Sequence, residues 1–303
     1  MSTRQHRPAT DSGTLTLGGD LHVYRLGYGA MRITGEGVWG PPAHKNESLA
    51  VLKRVLELGI NLIDTADSYG PNVSEELIAE ALYPYPKDLV IATKGGLLRT
   101  GPGQWPQDGR PEHLREALEG SLKRLRVDQI DIYQFHRPDP KVPFEDSIGE
   151  LARLKEQGKI RHVGVSNVTI EQLAQAQKIV PIVTVQNHYN LVKRQSENMT
   201  VAQSEELIDI CARQGIGFIP WFPLATGDLA RPGSVLEQIA QKHHAQPSQI
   251  ALAWLLKRSP TILPIPGTSS IKHLEENVLG ATIQLSQEEF DSIDQNSKQQ
   301  QSK

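Results

Sequence analysis

The strongest constraint on the fold is a repeated alternation of short apolar runs with longer segments of helical periodicity. Eight apolar runs predict strands, and each precedes a helical segment, so the sequence indicates a parallel sheet covered by helices. Eight such units are typical of an α/β protein with a (β/α)8 TIM barrel. The predicted strands are 26–30, 60–64, 89–93, 130–135, 160–165, 182–185, 216–220 and 262–265.

The helical segments are predicted from apolar spacing and from residues that commonly begin helices, such as Asn46 before the first of them. An added helix, 248–257, precedes the last strand, so the barrel is expected to carry extra helices near its C-terminus. The predicted helices are 47–58, 74–82, 111–125, 148–157, 170–177, 205–214, 234–243, 248–257 and 271–279.

Residues 14–24 alternate on both sides of Gly18-Gly19-Asp20, which predicts an N-terminal β-hairpin that covers the bottom of the barrel. The competing fold is an open doubly wound sheet, which is typically marked by G-x-G-x-x-G early in the chain. Here Gly27-Tyr28-Gly29 lacks the third glycine. We therefore expect one barrel domain over 14–296, a disordered tail over 1–13 and a polar tail over 297–303.

Composition and charge disfavour several classes of protein. The net charge is −3, from 32 basic and 35 acidic residues, so no field favours nucleic acid or an anionic membrane. One cysteine, Cys211, allows no intrachain disulfide, and no apolar run approaches the roughly 18 residues of a membrane span. His243 and His244 are adjacent and cannot share a helix face, so no metal site is expected. We expect a cytoplasmic monomer or weak homo-oligomer that binds a small molecule.

Polar residues stand where three successive predicted strands end. Asp64 closes the run INLID, Tyr69 follows five residues later, Lys94 follows the third strand and His136 the fourth. Each alone has an ordinary interpretation, such as an ion-pair member, a solvated residue or a core histidine. Because strand C-termini of a barrel share one rim, we expect the four side chains to converge there.

These four groups suit transfer of a proton to a carbonyl oxygen. A free phenol has a pKa of about 10, and a neighbouring ammonium from Lys94 would lower that of Tyr69. Asp64 supplies the counter-ion that a buried lysine needs, and His136 can orient a substrate oxygen. No protein side chain supplies hydride, so the site indicates a nicotinamide cofactor.

Further polar residues at the next strand ends suit that cofactor. Ser166, Asn167 and Gln186 offer the donors and acceptors that a carboxamide requires. Trp221 offers a flat apolar face for an aromatic ring, although a tryptophan in an apolar strand is also ordinary core material.

Taken together, the residues resemble the aldo-keto reductase family over about residues 26–294, nearest to bacterial pyridoxal reductase-like members. The segments that carry the resemblance are GYGAM (27–31), NLIDTADSYG (61–70), IATKGG (91–96), IYQFHRPD (132–139), VGVSN (163–167), VQNHYN (185–190), PWFPL (220–224), IPGTSS (265–270) and HLEEN (273–277).

The resemblance implies a catalytic tetrad of Asp64, Tyr69, Lys94 and His136, with Tyr69 as the general acid. It implies substrate contacts from Arg32, Trp39, Tyr69, Trp105 and His136, in a pocket suited to a flat aromatic aldehyde. The implied cofactor contacts are Met31, Arg32, Asp64, Ser166, Asn167, Gln186, Trp221, Phe222, Pro223, Leu224, Gly227, Gly267, Thr268, Ser269, Lys272, His273, Glu276 and Asn277.

Three positions depart from the family pattern. Many members have Lys at the position of Gly267 and Arg at that of His273, and related bacterial enzymes often have Ser at that of Phe222. The 2′-phosphate of NADPH would then bind hydroxyl and backbone N–H groups of Thr268, Ser269 and Ser270, with Lys272 and His273. NADPH remains favoured over NADH.

The resemblance implies reduction of an aldehyde or ketone to an alcohol, with pyridoxal as one candidate substrate. The alternative is a nicotinamide-bound sensor or accessory subunit with little turnover. A phosphosugar isomerase or lyase is disfavoured, because WFPL (221–224) stands where such barrels have a Gly-rich phosphate loop.

Overall fold

A parallel sheet whose spatial order follows the chain forms the centre of the molecule. The computed structural model describes residues 6–224 and 234–301. Within them, seven parallel strands pair in the order β3 to β9, and an antiparallel pair, β1 and β2, precedes them. The strands are β1 Thr14–Leu17, β2 Leu21–Tyr24, β3 Tyr28–Gly29, β4 Leu62–Asp64, β5 Val90–Gly95, β6 Ile130–Phe135, β7 Ile160–Ser166, β8 Ile182–His188 and β9 Gly217–Trp221. This parallel order, with helices between the strands, is that of an α/β barrel.

The predicted eighth strand, 262–265, is wrong as a regular strand, since the structure gives it one isolated bridge, from Ile262 to Phe218. Pro264 has no N–H, so a continuous ladder cannot run through it. The segment nevertheless bonds both edges of the sheet. Leu263 N donates to Phe218 O at 2.8 Å, and Gly27 N donates to Pro264 O at 3.0 Å.

The described residues contain ten α-helices. They are α1 Lys45–Glu57, α2 Val73–Leu82, α3 Pro111–Leu125, α4 Phe144–Glu156, α5 Ile170–Gln177, α6 Val201–Gln214, α7 Val235–Lys242, α8 Pro247–Arg258, α9 Ile271–Leu279 and α10 Gln287–Gln301. The prediction that Asn46 caps α1 is wrong, because the helix has already begun at Lys45. Helix α6 begins four residues before the predicted start, at a capping box formed by Thr200 and Gln203.

The N-terminal hairpin packs against the inside of the sheet. Leu17, Leu21 and Val23 belong to one buried cluster with inward-facing residues of the strands, among them Leu62 and Ile219. The cluster covers the strand N-terminal end, opposite the rim that carries the polar residues. The hairpin was predicted at this place.

Both terminal segments contain helical structure within the described residues, although a disordered tail was expected over 1–13. Pro8–Ser12 forms a 3₁₀ helix, and Ser12 Oγ donates to Ala9 O at 2.6 Å and accepts from Leu26 N at 3.0 Å. At the other end α10 continues through Gln301, and Ser297 is buried against Arg194 at 3.1 Å. Distant contacts stabilise both segments, which local composition cannot reveal.

Candidate active site

Lys94 connects three of the four proposed catalytic side chains. Asp64 ends β4, and Lys94 lies in the adjacent strand β5. Lys94 Nζ donates to Asp64 Oδ1 at 2.6 Å, to the Thr65 carbonyl at 2.8 Å and to Tyr69 Oη at 3.3 Å. The side chains of the ion pair are 0% and 1% exposed, so each charge depends on the other.

Two glutamines hold the second oxygen of Asp64. Gln134 Nε2 donates to Oδ2 at 3.0 Å and Gln186 Nε2 donates to the same atom at 2.8 Å. Sequence analysis placed Gln186 with the cofactor and missed Gln134. A glutamine in an apolar strand marks a buried polar group, but the partner of its amide depends on the assembled sheet.

The surroundings of Tyr69 and Lys94 keep both groups protonated near neutral pH. Burial raises the pKa of the Tyr69 phenol, and Lys94 lowers it only in part, so the net pKa lies above the ordinary value. The predicted direction of the Lys94 effect holds, but the expectation of a net lowering is wrong, because burial outweighs it. Burial lowers the pKa of Lys94, whereas Asp64 and Tyr69 raise it, with a net rise.

His136 lies beside the phenol. It directly follows β6, and its ring centroid is 5.9 Å from that of Tyr69. Its Nδ1 lies 3.4 Å from Ser68 Oγ. Burial, followed by the charges of Lys94 and Arg137, lowers the pKa of His136 well below its usual range. The imidazole is therefore neutral near pH 7 and able to donate one hydrogen bond without carrying charge.

The proposed nicotinamide contacts lie next to this group. Ser166 Oγ donates to the Gln186 carbonyl at 2.8 Å, and Asn167 Nδ2 donates to the His136 carbonyl at 3.0 Å. Trp221 Nε1 donates to Asn167 Oδ1 at 3.0 Å, which fixes the indole at the rim. Asn167 adopts φ of 58°, a left-handed conformation that asparagine tolerates better than most residues.

Residues after β9 continue along the same rim. Phe222 is exposed, its ring lies 6.0 Å from the Arg32 guanidinium, and its carbonyl accepts from Asn190 Nδ2 at 3.0 Å. Pro223 is buried, and Leu224 is half-buried against the core. Gly227, which the resemblance also assigned to the cofactor, lies outside the described residues.

A close approach of two backbone segments brings the 267–270 region to β3 and the residues after it, Met31 and Arg32. A Cβ added at Gly267 would lie 2.5 Å from the Gly29 carbonyl oxygen, and one added at Gly29 would lie 2.7 Å from that of Ile265. Neither position accommodates a side chain on this backbone. The Thr268 carbonyl accepts from Tyr28 Oη at 2.6 Å, which holds the segment in place.

The residues expected around the 2′-phosphate surround the start of α9. Ser270 caps the helix by accepting from His273 N, and Ser269 is exposed. The Lys272 side chain is 81% exposed and lies 3.8 Å from Glu276. Asn277, in contrast, is buried, and nothing in its contacts points to a phosphate.

Aromatic residues from two loops stand beside the phenol on the substrate side. The Trp105 and Tyr69 ring centroids are 6.3 Å apart, with nearly perpendicular planes. Trp39 is joined to the loop after Tyr69 through a parallel bridge with Gly70. Arg99, which sequence analysis missed, lies 3.6 Å from the Trp105 ring centroid and 5.6 Å from that of Trp39.

Neither a metal centre nor a membrane span is found in the part of the chain that the structure describes. There, no group of three or more His, Cys, Asp or Glu side chains is arranged to hold a metal ion. No helix among residues 6–224 and 234–301 is long and apolar enough to cross a bilayer.

The parallel sheet and the polar residues at its rim agree with the expected class of protein, a nicotinamide-dependent oxidoreductase. The model of the Aldo/keto reductase family matches residues 25–298. The chain belongs to the aldo/keto reductase family and is an NAD(P)H-dependent oxidoreductase.

Three comparisons illustrate the relationship. An uncharacterized oxidoreductase of Schizosaccharomyces pombe is 51% identical over 97% of this chain and 93% of its own length. Pyridoxine 4-dehydrogenase of Escherichia coli is 43% identical over 93% of this chain and 98% of its own. The crystal structure of an aldo/keto reductase from Klebsiella pneumoniae, in complex with NADP and acetate, is 26% identical, with a TM-score of 0.77 over 93% of this chain and 94% of its own.

Proposed function

We propose that the protein reduces an aldehyde or ketone to an alcohol with NADPH, and that Tyr69 gives the proton to the carbonyl oxygen. The single observation that carries the proposal is the contact of Lys94 Nζ with both Asp64 and Tyr69 Oη in a buried position. An ion pair that only stabilises the fold would not require a phenol beside the lysine ammonium.

In the proposed mechanism Tyr69 begins protonated, because burial raises the pKa of its phenol. As the proton leaves, the phenolate is stabilised by the Lys94 ammonium at 3.3 Å, which Asp64 in turn holds. Neutral His136 donates a hydrogen bond to the same substrate oxygen and fixes its orientation. The two rings stand 5.9 Å apart, close enough to act on one oxygen between them.

The residues present fit a nicotinamide cofactor. Ser166, Asn167 and Gln186 form a connected polar group beside Asp64, and Trp221 is held by Asn167 with its ring at the rim. The close approach of Gly29 to Gly267 holds the 267–270 segment beside β3, at the start of the chain's path to α9. When bound, the cofactor supplies the hydride that the carbonyl carbon accepts.

We infer that NADPH is preferred, since Ser269, Ser270 and Lys272 meet at the N-terminus of α9, where the helix dipole favours an anion. We also infer that the segment 261–264 acts as the eighth strand and closes the ring, since it bonds both β9 and Gly27.

For the substrate, we propose a flat aromatic aldehyde such as pyridoxal. Trp39 and Trp105 flank the approach to Tyr69, and aromatic faces favour stacked or edge contacts with a ring. The relationship to Escherichia coli pyridoxine 4-dehydrogenase supports the same class of substrate.

The test is Tyr69→Phe, with Tyr85→Phe as the matched control. Loss of a general acid typically lowers the rate by about 10² to 10⁴. We expect that loss in kcat with pyridoxal or benzaldehyde, and an unchanged Kd for NADPH. Tyr85 lies away from the rim and donates to the Leu125 carbonyl, so its variant should keep full activity. Near-normal turnover of Tyr69→Phe would refute the proton-donor role, and a wild-type protein that binds NADPH without turnover would favour a sensor.

A further inference from the structure

Arg99 is bound in an unusual way for an arginine on a surface loop. It lies five residues after Lys94, and within the described residues its side chain donates to backbone carbonyls from three segments. Nη1 donates to Val38 O at 2.6 Å and Ser68 O at 2.9 Å, Nη2 to Gly37 O at 2.9 Å and Gly101 O at 3.3 Å, and Nε to Gln104 O at 3.0 Å.

These contacts connect three parts of the substrate side. Gly37 and Val38 precede Trp39, Gly101 and Gln104 precede Trp105, and Ser68 precedes Tyr69. The guanidinium also covers the Trp105 ring at 3.6 Å from its centroid and lies 5.6 Å from that of Trp39. One side chain therefore holds both tryptophans relative to the candidate proton donor.

The Arg99 guanidinium has no further partner among residues 6–224 and 234–301 besides these carbonyls and the two tryptophan rings. No carboxylate there lies in an ion pair with Arg99, so its charge is met by carbonyl dipoles and by the tryptophan rings. Burial lowers the pKa of Arg99, but an arginine stays charged. Because its donors are already committed to carbonyls, we do not expect Arg99 to bind a phosphate or carboxylate of the substrate.

We propose that Arg99 is a positioning residue for substrate specificity, which holds Trp39 and Trp105 as an aromatic wall beside Tyr69. The wall gives ring aldehydes an advantage over short aliphatic aldehydes, which are too small to contact it. The kinetic test of this inference rests on the proposed carbonyl reduction, whereas its fluorescence test requires no turnover. A lysine at this position would keep the charge and lose the planar fork that reaches several carbonyls at once.

The kinetic experiment compares benzaldehyde and pyridoxal with propanal in the wild type, Arg99→Lys and Arg99→Met. We expect KM for the ring aldehydes to rise about tenfold in both Arg99 variants. The corresponding free energy lies in the range of one lost cation–π contact. We expect kcat for each aldehyde, KM for propanal and Kd for NADPH to stay within about twofold. Arg110→Lys is the matched control, because Arg110 is an exposed arginine that pairs with nearby Asp108.

A second variant separates wall positioning from a general loss of structure. Trp105→Leu should reproduce the selective rise in KM, and the double variant with Arg99→Lys should not add to it, because the two changes remove one wall. Additive effects, equal effects on propanal and ring aldehydes, or no change in KM would each overturn the proposal.

Tryptophan fluorescence tests the same arrangement without turnover. Arg99→Lys should increase acrylamide quenching, and the increase should be smaller in a Trp105→Phe background, where Trp39 is the one wall residue left to report the change. If the wild type reduces no aldehyde but quenching changes in this way, the wall is supported and the proposed function fails. If aldehydes are reduced but quenching is unchanged, Arg99 does not hold Trp105.

Discussion

Asp67 offers a sharp test of the electrostatics behind the active site. It lies in the turn between Asp64 and Tyr69, is buried, and its Oδ1 has no hydrogen-bond partner in the part of the chain described. Burial, and then the charge of Glu75, raises the pKa of Asp67 from 3.8 to about 8, although Arg124 opposes the shift. The folded protein therefore keeps this carboxyl protonated at a pH where the unfolded chain has released the proton.

The sign of the effect on stability follows from that difference. A group with a higher pKa in the folded state favours folding below its unfolded pKa of 3.8, and this contribution is lost as the pH rises through about 8. Between those limits the unfolding free energy should fall by about 1.4 kcal/mol per pH unit because of this one group. From pH 5 to pH 7 the loss is about 3 kcal/mol.

Asp67→Asn removes the titration and keeps the shape of the side chain. Urea unfolding of wild type and variant at pH 5, 6 and 7 should show the variant gaining about 3 kcal/mol relative to wild type across that range. Any pH-independent effect of the asparagine side chain on the unfolding free energy cancels when the differences at two pH values are compared. A difference that is the same at all three pH values would refute the assignment of a protonated, buried Asp67.

Asp108→Asn is the control for this experiment. The hydrogen bond from Arg110 holds the pKa of Asp108 below its usual value, so its contribution is lost only as the pH falls below about 3.8. Its difference from wild type should therefore stay constant between pH 5 and pH 7.

Three further changes probe the site and the fold. Lys94→Met should lower kcat and move any Tyr69-linked step in the pH–rate profile to higher pH, because no ammonium remains to favour the phenolate; an unchanged profile would mean that the two groups are not coupled. Lys272→Ala should weaken NADPH roughly ten- to a hundredfold in a fluorescence titration and leave NADH almost unchanged; equal loss for both cofactors would remove it from the phosphate site. Arg194→Met should lower the unfolding free energy in urea by about 3–5 kcal/mol, since it breaks the ion pairs of a buried arginine with Glu205 and Asp294. Lys298 is exposed and also pairs with Asp294, so Lys298→Met should cost less than about 1 kcal/mol; similar losses for both variants would mean that burial of the arginine is not decisive.

Apolar periodicity predicted the bounds of helices and strands correctly where the sequence also carries a recognisable signal at the first residue of the element. Helix α3 begins at Pro111 and ends at Leu125 as predicted, and β6, α5 and α9 also have the predicted bounds. Proline at a first helical position and continuous apolar strands are local signals. The predicted starts of α1 and α4 are wrong. These helices begin with polar or aromatic residues that do not stand at the predicted apolar spacing.

The candidate site was predictable as a set of residues but not as a set of contacts. Polar residues at strand ends identified Asp64, Lys94 and His136, because parallel strands bring their carboxyl ends to one rim. Nothing in the sequence around Arg99 indicates its role, since its acceptors are backbone carbonyls in loops whose path depends on the assembled protein. Burial of Tyr69, which reverses the expected direction of its net pKa shift, also depends on packing.

The two oxygens of Asp64 show why such contacts require the assembled sheet. Its partners are Lys94, Gln134 and Gln186, which are 30, 70 and 122 residues away along the chain. They come from β5, β6 and β8, which the parallel sheet brings around one carboxylate. Gln186 is also a candidate contact for the cofactor carboxamide, and its Nε2 already donates to Asp64. If Gln186 contacts the cofactor as proposed, a change there would act on cofactor binding and on the counter-ion of Lys94 together, because one amide serves both.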